Sequence, residues 1–411
     1  MMKNIQFDYN KSFFCLAFAF FICPLFSFPF IMYSVLKKHF FACDLLALFM
    51  GCCSVLWPPT ADLYRHNMLY FEFHQMNVSQ FFDYIETTPD FLYYLLSYLL
   101  SKVNINFEVI RFIFVFIAYK MSFRIYFDCM SRNKNIYEYH KMFFLIFYLS
   151  VPFFTITQGL RYGMALSFFA YGAYFYLSYD KIKWLIFVII ACLIHFSVFP
   201  VLAILLLARC GFNITAIRIL LIIVVSVIFL RETALTSLID LLPIDDLLKV
   251  RIGHYVEGYW SGEFLDEFSI ENKISRFLEH CAMYPLLLTS FWLDENKYNQ
   301  FTKILIAVVC ICYLISFTMF FRISLLFVSV ALCAFAIEFK QKKWNIIVLK
   351  MIFLSCFLSF FSQIYKYRRE MTISREYLLV LPMPVLLINT FDYQWVVNNV
   401  DHSGAGINLK Y

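Results

Sequence analysis

Three long apolar runs, LAFAFFICPLFSFPFIMYSVL (16–36), ILIAVVCICYLISFTMFF (304–321) and IIVLKMIFLSCFLSFF (346–361), decide most of what this chain can become. Each approaches the roughly 20 residues that carry an α-helix across a bilayer core. Inside lipid every backbone N–H and C=O must be satisfied within the protein, which leaves helices or closed barrels. No run alternates with the period of two that a barrel strand needs. The expected fold is therefore all-α, a polytopic integral membrane bundle of about 12 transmembrane helices, some short or re-entrant. Composition agrees: 62% of the residues are hydrophobic and 15% charged, against about 25% charged in soluble domains. Residues 1–411 read as a single membrane domain.

The first run is too long for the apolar region of a cleavable leader, and no small-residue cleavage site precedes Lys37 and Lys38, so it is read as a span. Thirteen cysteines lie mostly inside apolar runs, where a thiol behaves as a small hydrophobe. No CxxC, DxD or HExxH pattern is present, so neither a metal nor another cofactor is expected.

Basic residues gather in short breaks, among them Lys37 and Lys38, Lys181 and Lys183, Arg209 and Arg218, and Lys340 with Lys342 and Lys343. The positive-inside rule puts these breaks in the cytoplasm, so an even number of crossings must separate any two of them. Between Lys183 and Arg209 that parity requires two short helices turning near HFSVFP. One long helix kinked at Pro200 is the alternative, at the expense of the charge rule in every later loop. The same parity sends YGMALSFFAYGAYFYLSY inward from Arg161 to Asp180, a helical rise of about 28 Å against a core of about 30 Å. Arg161 then lies at the outer boundary, as do a loop over 58–105, containing a re-entrant or interfacial helix DFLYYLLSYLLSKV, and a large loop over 231–275.

Four external polar groups need a reason: Asp62 with Tyr64 and His66, Gln158 with Arg161, His195 with Ser197, and Arg322 in FTMFFRISLLF. An arginine at mid-membrane costs about 2.5 kcal/mol or more, so it faces protein, water or an anion, or snorkels to the headgroups. Two arginines on one side suit the oxygens of a diphosphate. Nucleotides do not reach that face, whereas lipid-linked phosphates do. Trp57, Tyr64, Tyr70, Tyr259 and Trp260 could stack on sugar rings or form an interfacial aromatic belt.

At these residues the chain resembles the O-antigen polymerases of the Wzy type and their EpsG-like exopolysaccharide relatives. TADLYRHNMLY is similar to the family's Asp-then-Tyr pattern, LIHFSVFPVL to its His-Ser element and FFRISLLF to its late arginine. QGLRYGMALSFFAYG resembles its arginine element, although Gln158 precedes the arginine and Gly163 departs from the spacing. The resemblance implies a bundle akin to the lipid-dependent, GT-C-like glycosyltransferases, in the bacterial inner membrane with its active site facing the periplasm. It implies polymerisation of undecaprenyl-diphosphate-linked oligosaccharide repeat units, with membrane lipids and a chain-length regulator protein as partners and no nucleic acid.

On that reading Arg161 and Arg322 clamp the donor diphosphate, with Gln158, Tyr64 and His66 as further binding residues. His195 accepts the proton of the acceptor hydroxyl, with Asp62 as the second candidate base. Two other classes compete. A lipid-linked oligosaccharide flippase would show internal repeats, which are not found, and a membrane O-acyltransferase would need a second motif cluster beside its histidine.

Overall fold

The computed structural model describes residues 11–86, 88, 90–209, 270–290, 297–315, 317–388, 391 and 393–400. Helices dominate, and none of the described residues forms a strand. The first apolar run is two helices rather than one span: α1 (Lys11–Ile22) ends at an extended Cys23, and α2 (Pro24–Leu36) begins with Pro24 at its first position. Proline lacks the N–H that a continuing helix would need, but at a helix start that donor is not missed.

Next come α3 (Ala42–Val55), α4 (Ala61–Gln75), α5 (Val78–Glu86), α6 (Phe91–Lys102) and α7 (Phe107–Arg132). The 26-residue α7 is a central post. It packs on α3, where a Cβ on Gly51 would lie 2.9 Å from the Phe112 ring, so only glycine allows the approach. Arg111, buried beside Glu108 one turn earlier, donates to the Trp57 carbonyl (2.9 Å) and fastens the segment leading into α4. The sequence DFLYYLLSYLLSKV forms the short α6, packed against α4.

After α8 (Lys134–Glu138), the stretch His140–Gln158 bends at Val151 and Pro152 into α9 (His140–Ser150) and α10 (Phe153–Gln158). The 20-residue α11 (Leu160–Tyr179) runs away from Arg161, and α12 (Leu185–Ile194) returns antiparallel to it. A Cβ on Gly172 would stand 2.8 Å from Val188 and 2.9 Å from Phe187, which shows how closely the two helices approach. The antiparallel return sets the His195 ring 5.7 Å from that of Tyr162. There the helix stops: His195 is extended, Phe196–Val198 is a single 3-10 turn, and α13 (Phe199–Arg209) starts afresh. Pro200 thus lies in the first turn of a new helix, where it is tolerated, and does not kink a long one.

The large loop expected over 231–275 lies outside the described residues up to 269, and α14 (Ile270–Glu279) follows. Then come α15 (Met283–Ser290), α16 (Lys297–Ile315), α17 (Phe317–Glu338) and α18 (Lys343–Lys366). The apolar run 304–321, expected as one crossing, is divided between α16 and α17, which pack on each other. Arg322 therefore sits in the second turn of α17, near a helix start. At the other end of that helix the Asn133 amide donates to the carbonyls of Ala336 (3.0 Å), Ile337 (3.1 Å) and Phe339 (2.8 Å), satisfying acceptors that a helix C-terminus leaves open.

By length and composition, three helical stretches among the described residues can cross a membrane: His140–Gln158, Phe320–Glu338 and Lys343–Lys366. Six shorter apolar helices accompany them, including Ile182–Ile194 and Phe196–Leu206. The chain is a helical membrane protein.

Candidate functional site

Arg161 occupies the first turn of α11, where the helix dipole disfavours a cation. Three partners hold it. Its Nη1 donates to Asp90 Oδ2 at 2.5 Å and to the Tyr94 hydroxyl at 2.7 Å, and its Nε donates to His66 Nε2 at 3.1 Å. Asp90 is 1% exposed and sits at the cap position of α6, yet it makes no side-chain cap bond there. Its second oxygen instead accepts the Phe196 backbone N–H at 2.8 Å. One carboxylate thus joins the start of α6, the start of α11 and the break after α12.

A guanidinium only donates, so His66 Nε2 must be an unprotonated acceptor. Burial pushes the His66 imidazole well below its ordinary value, and the charges of Arg161 and Arg65 push the same way. His66 also meets the Tyr93 ring edge-on at 5.1 Å.

His195 lies in the break between two apolar helices and is 4% exposed. The Ser197 backbone N–H donates to its Nδ1 (3.2 Å), and Ser197 Oγ stands 3.0 Å from the same nitrogen. Because an amide N–H can only donate, Nδ1 is an acceptor and the neutral ring carries its proton on Nε2. Burial holds His195 well below the usual imidazole value, and the charges of Arg322 and then Arg161 push the same way.

Arg322 leans over the Tyr162 ring, its guanidinium carbon 5.2 Å from the centroid, within cation–π range. The Tyr162 hydroxyl donates to the Arg322 carbonyl. Arg322, Tyr162 and Ser197 also line a cavity of about 610 Å³ between α11, α12, α13 and α17.

Of the residues singled out from sequence, His66, Arg161, His195 and Arg322 fall into this one neighbourhood, linked through Asp90 and Tyr162. Three others have partners elsewhere. Asp62 is exposed and pairs with Arg65 at 3.4 Å. Buried Gln158 reaches the Pro58 carbonyl (3.4 Å) and Thr60 (3.5 Å), fastening the chain before α4. Tyr64 packs with Phe391, Val396 and Val400. Two aromatic candidates are core side chains and not sugar platforms: Trp57 meets Phe154 and Tyr367 edge-on, and the Tyr70 hydroxyl donates to the Ile105 carbonyl. Tyr259 and Trp260 lie outside the described residues. Among the described residues no three His, Cys, Asp or Glu side chains cluster as metal ligands would.

Sequence reasoning missed Asp90 and Tyr94. Their signal was local but faint: an aspartate directly after Pro89 and before an aromatic helix, where a cap is the usual expectation. A family model described as the EpsG family matches residues 40–375, a span holding every residue of this neighbourhood. No curated protein and no solved structure matches the chain.

Proposed function

The chain belongs to the EpsG family of membrane polysaccharide polymerases, and on that premise we propose that it joins isoprenoid-diphosphate-linked oligosaccharides at the outer face of the bacterial inner membrane. The growing glycan moves from its lipid diphosphate to a hydroxyl on the terminal sugar of an incoming lipid-linked repeat unit. The bond between the anomeric carbon and the phosphate oxygen breaks, and a glycosidic bond forms. The released lipid diphosphate keeps the bonding electron pair.

The observation that carries this reading is a neutral, buried His195 between two arginines, hydrogen-bonded to a serine at the wall of a cavity. Arg322, at the cavity wall, supplies charge to the departing diphosphate. Arg161 acts differently from the clamp that the sequence suggested. Its Nη1 and Nε are engaged by Asp90, Tyr94 and His66, leaving Nη2 as the terminus outside those three bonds. It contributes positive potential and holds the His195 break in register through Asp90.

The acceptor proton takes a path that the tautomer dictates. Since Nδ1 is the basic nitrogen and Ser197 Oγ is 3.0 Å from it, Ser197 receives the acceptor proton while passing its own to Nδ1. The Nε2–H remains a donor available to a phosphate oxygen.

Purified protein in lipid nanodiscs, supplied with one lipid-linked repeat unit, tests the proposal. A polymerase yields a ladder of longer lipid-linked glycans. A flippase leaves single repeats on the other leaflet, and an acyltransferase changes their mass by an acyl group; either product would reject the reading.

A further inference from the structure

We infer that the cavity between α11, α12, α13 and α17 is the seat of the donor's isoprenoid tail, with Arg322 and Ser197 marking its head end. The inference rests on the polymerase reading above and assigns a part of the substrate that this reading leaves unplaced.

The cavity measures about 610 Å³, inside the roughly 300–1,000 Å³ usual for small-molecule sites. It is two-ended in chemistry. Leu166, Phe169, Ile189, Leu193, Val201 and Leu326 offer only hydrocarbon, whereas the Arg322 guanidinium, the Ser197 hydroxyl and Tyr162 bring polar groups to its wall. A sugar would leave hydroxyls facing hydrocarbon without partners, and a free nucleotide would do the same with its base edges. A molecule with an anionic head and a long apolar tail satisfies both parts of the wall.

The way in also fits a lipid. Ile189, Leu193 and Phe199 line the cavity yet are strongly exposed, at 47%, 42% and 65%. In a bilayer such side chains face acyl chains, so the cavity is reached from within the membrane and not through water.

A phospholipid shares this chemistry, but the head end separates the two. A phosphate beside Arg322 lies next to the His195–Ser197 pair. A resident phospholipid there would block a proton-transfer group, whereas a lipid whose diphosphate is the leaving group must present it at that place.

The test uses a sugar-free isoprenyl diphosphate carrying a photoreactive diazirine at the tail end, added to the full chain in phosphatidylglycerol nanodiscs. Crosslinks are mapped by mass spectrometry. Label is expected on the walls of α11, α13 and α17, displaced by unlabelled isoprenyl diphosphate and not by added phosphatidylglycerol. Leu166→Trp and Leu326→Trp, which fill the apolar part of the cavity while leaving Arg322, His195 and Ser197 unsubstituted, should each lower labelling about tenfold in protein that keeps a cooperative thermal unfolding transition. Label elsewhere, equal displacement by phosphatidylglycerol, or full labelling in both tryptophan variants would overturn the inference. Because the probe has no sugar, normal labelling in a protein that makes no glycan ladder would count against the polymerase reading and leave the tail site standing.

Discussion

Asp90 and Arg161, 71 positions apart in the chain, meet in a 2.5 Å ion pair whose carboxylate also accepts the Phe196 backbone N–H. The pairing resolves two difficulties at once: a cation at a helix start and an orphan donor at a helix break. It also makes the position of His195 depend on a residue that never touches the imidazole in these bonds.

Asp90→Asn should therefore damage both stability and activity. Removing one partner of a buried pair costs about 3–5 kcal/mol, and the low end applies because the Arg161 side chain keeps 24% of its exposure. Asn can still accept the Phe196 N–H, so its glycan ladder should exceed that of Asp90→Ala when thermal unfolding in detergent is measured beside it. Equal ladders in both variants and wild type would remove Asp90 from the mechanism.

The two arginines should respond differently to lysine. Arg161→Lys puts a single nitrogen where the guanidinium reaches Asp90 and Tyr94 from Nη1 and His66 from Nε, so it should lose thermal stability together with chain length. Arg322→Lys should leave stability near wild type and shorten the ladder, with Arg322→Ala giving single repeats. Full-length ladders from Arg322→Lys at matched membrane abundance would return that residue to a snorkelling role.

Acid should affect the protein through its buried histidines. His66 and His195 are both held below the ordinary 6.5, so under acid the unfolded chain takes up protons that the folded chain refuses. Stability contributed by the two neutral rings is present above about 6.5 and is lost as pH falls below it. Unfolding midpoints should thus be flat above neutrality and drop on acidification, with a shallower drop in His195→Gln. The same variant should make no ladder at any pH, since an amide cannot accept the proton.

Gly163 tests the packing that places Arg161. A Cβ there would lie 2.4 Å from the Ile156 Cα, a backbone atom that cannot swing aside. Gly163→Ala should force α10 and α11 apart, costing about 1–3 kcal/mol. A wild-type unfolding temperature in that variant would contradict the close approach.

The helical class was legible because apolar run length leaves lipid-embedded backbone few options. The break at His195 was legible too, from charge parity across a stretch whose composition alone permits one long helix. Arg322 was visible as an anomaly, but its place near a helix start was not, because the apolar run 304–321 continues through the division between α16 and α17. Asp90 was hidden by its company. Five acids occupy the stretch 57–90, and only the fold distinguishes the one that meets Arg161 from Asp62, which pairs along its own helix. Arg111 shows the converse: a charge inside an apolar helix is satisfied by Glu108 three positions earlier and by a carbonyl.

Tyr162 stands between two parts of the neighbourhood, Arg322 on one side and His195 on the other. Its ring lies under the Arg322 guanidinium and edge-on to His195, its hydroxyl grips the Arg322 carbonyl, and its peptide neighbour is Arg161. An aromatic ring does not shorten or bend, so it works as a gauge block between α17 and the end of α12. Any roll of α11 about its axis must shift both at once. On the proposed mechanism this gears the leaving-group cation to the proton-handling pair, so a shift of one carries the other with it.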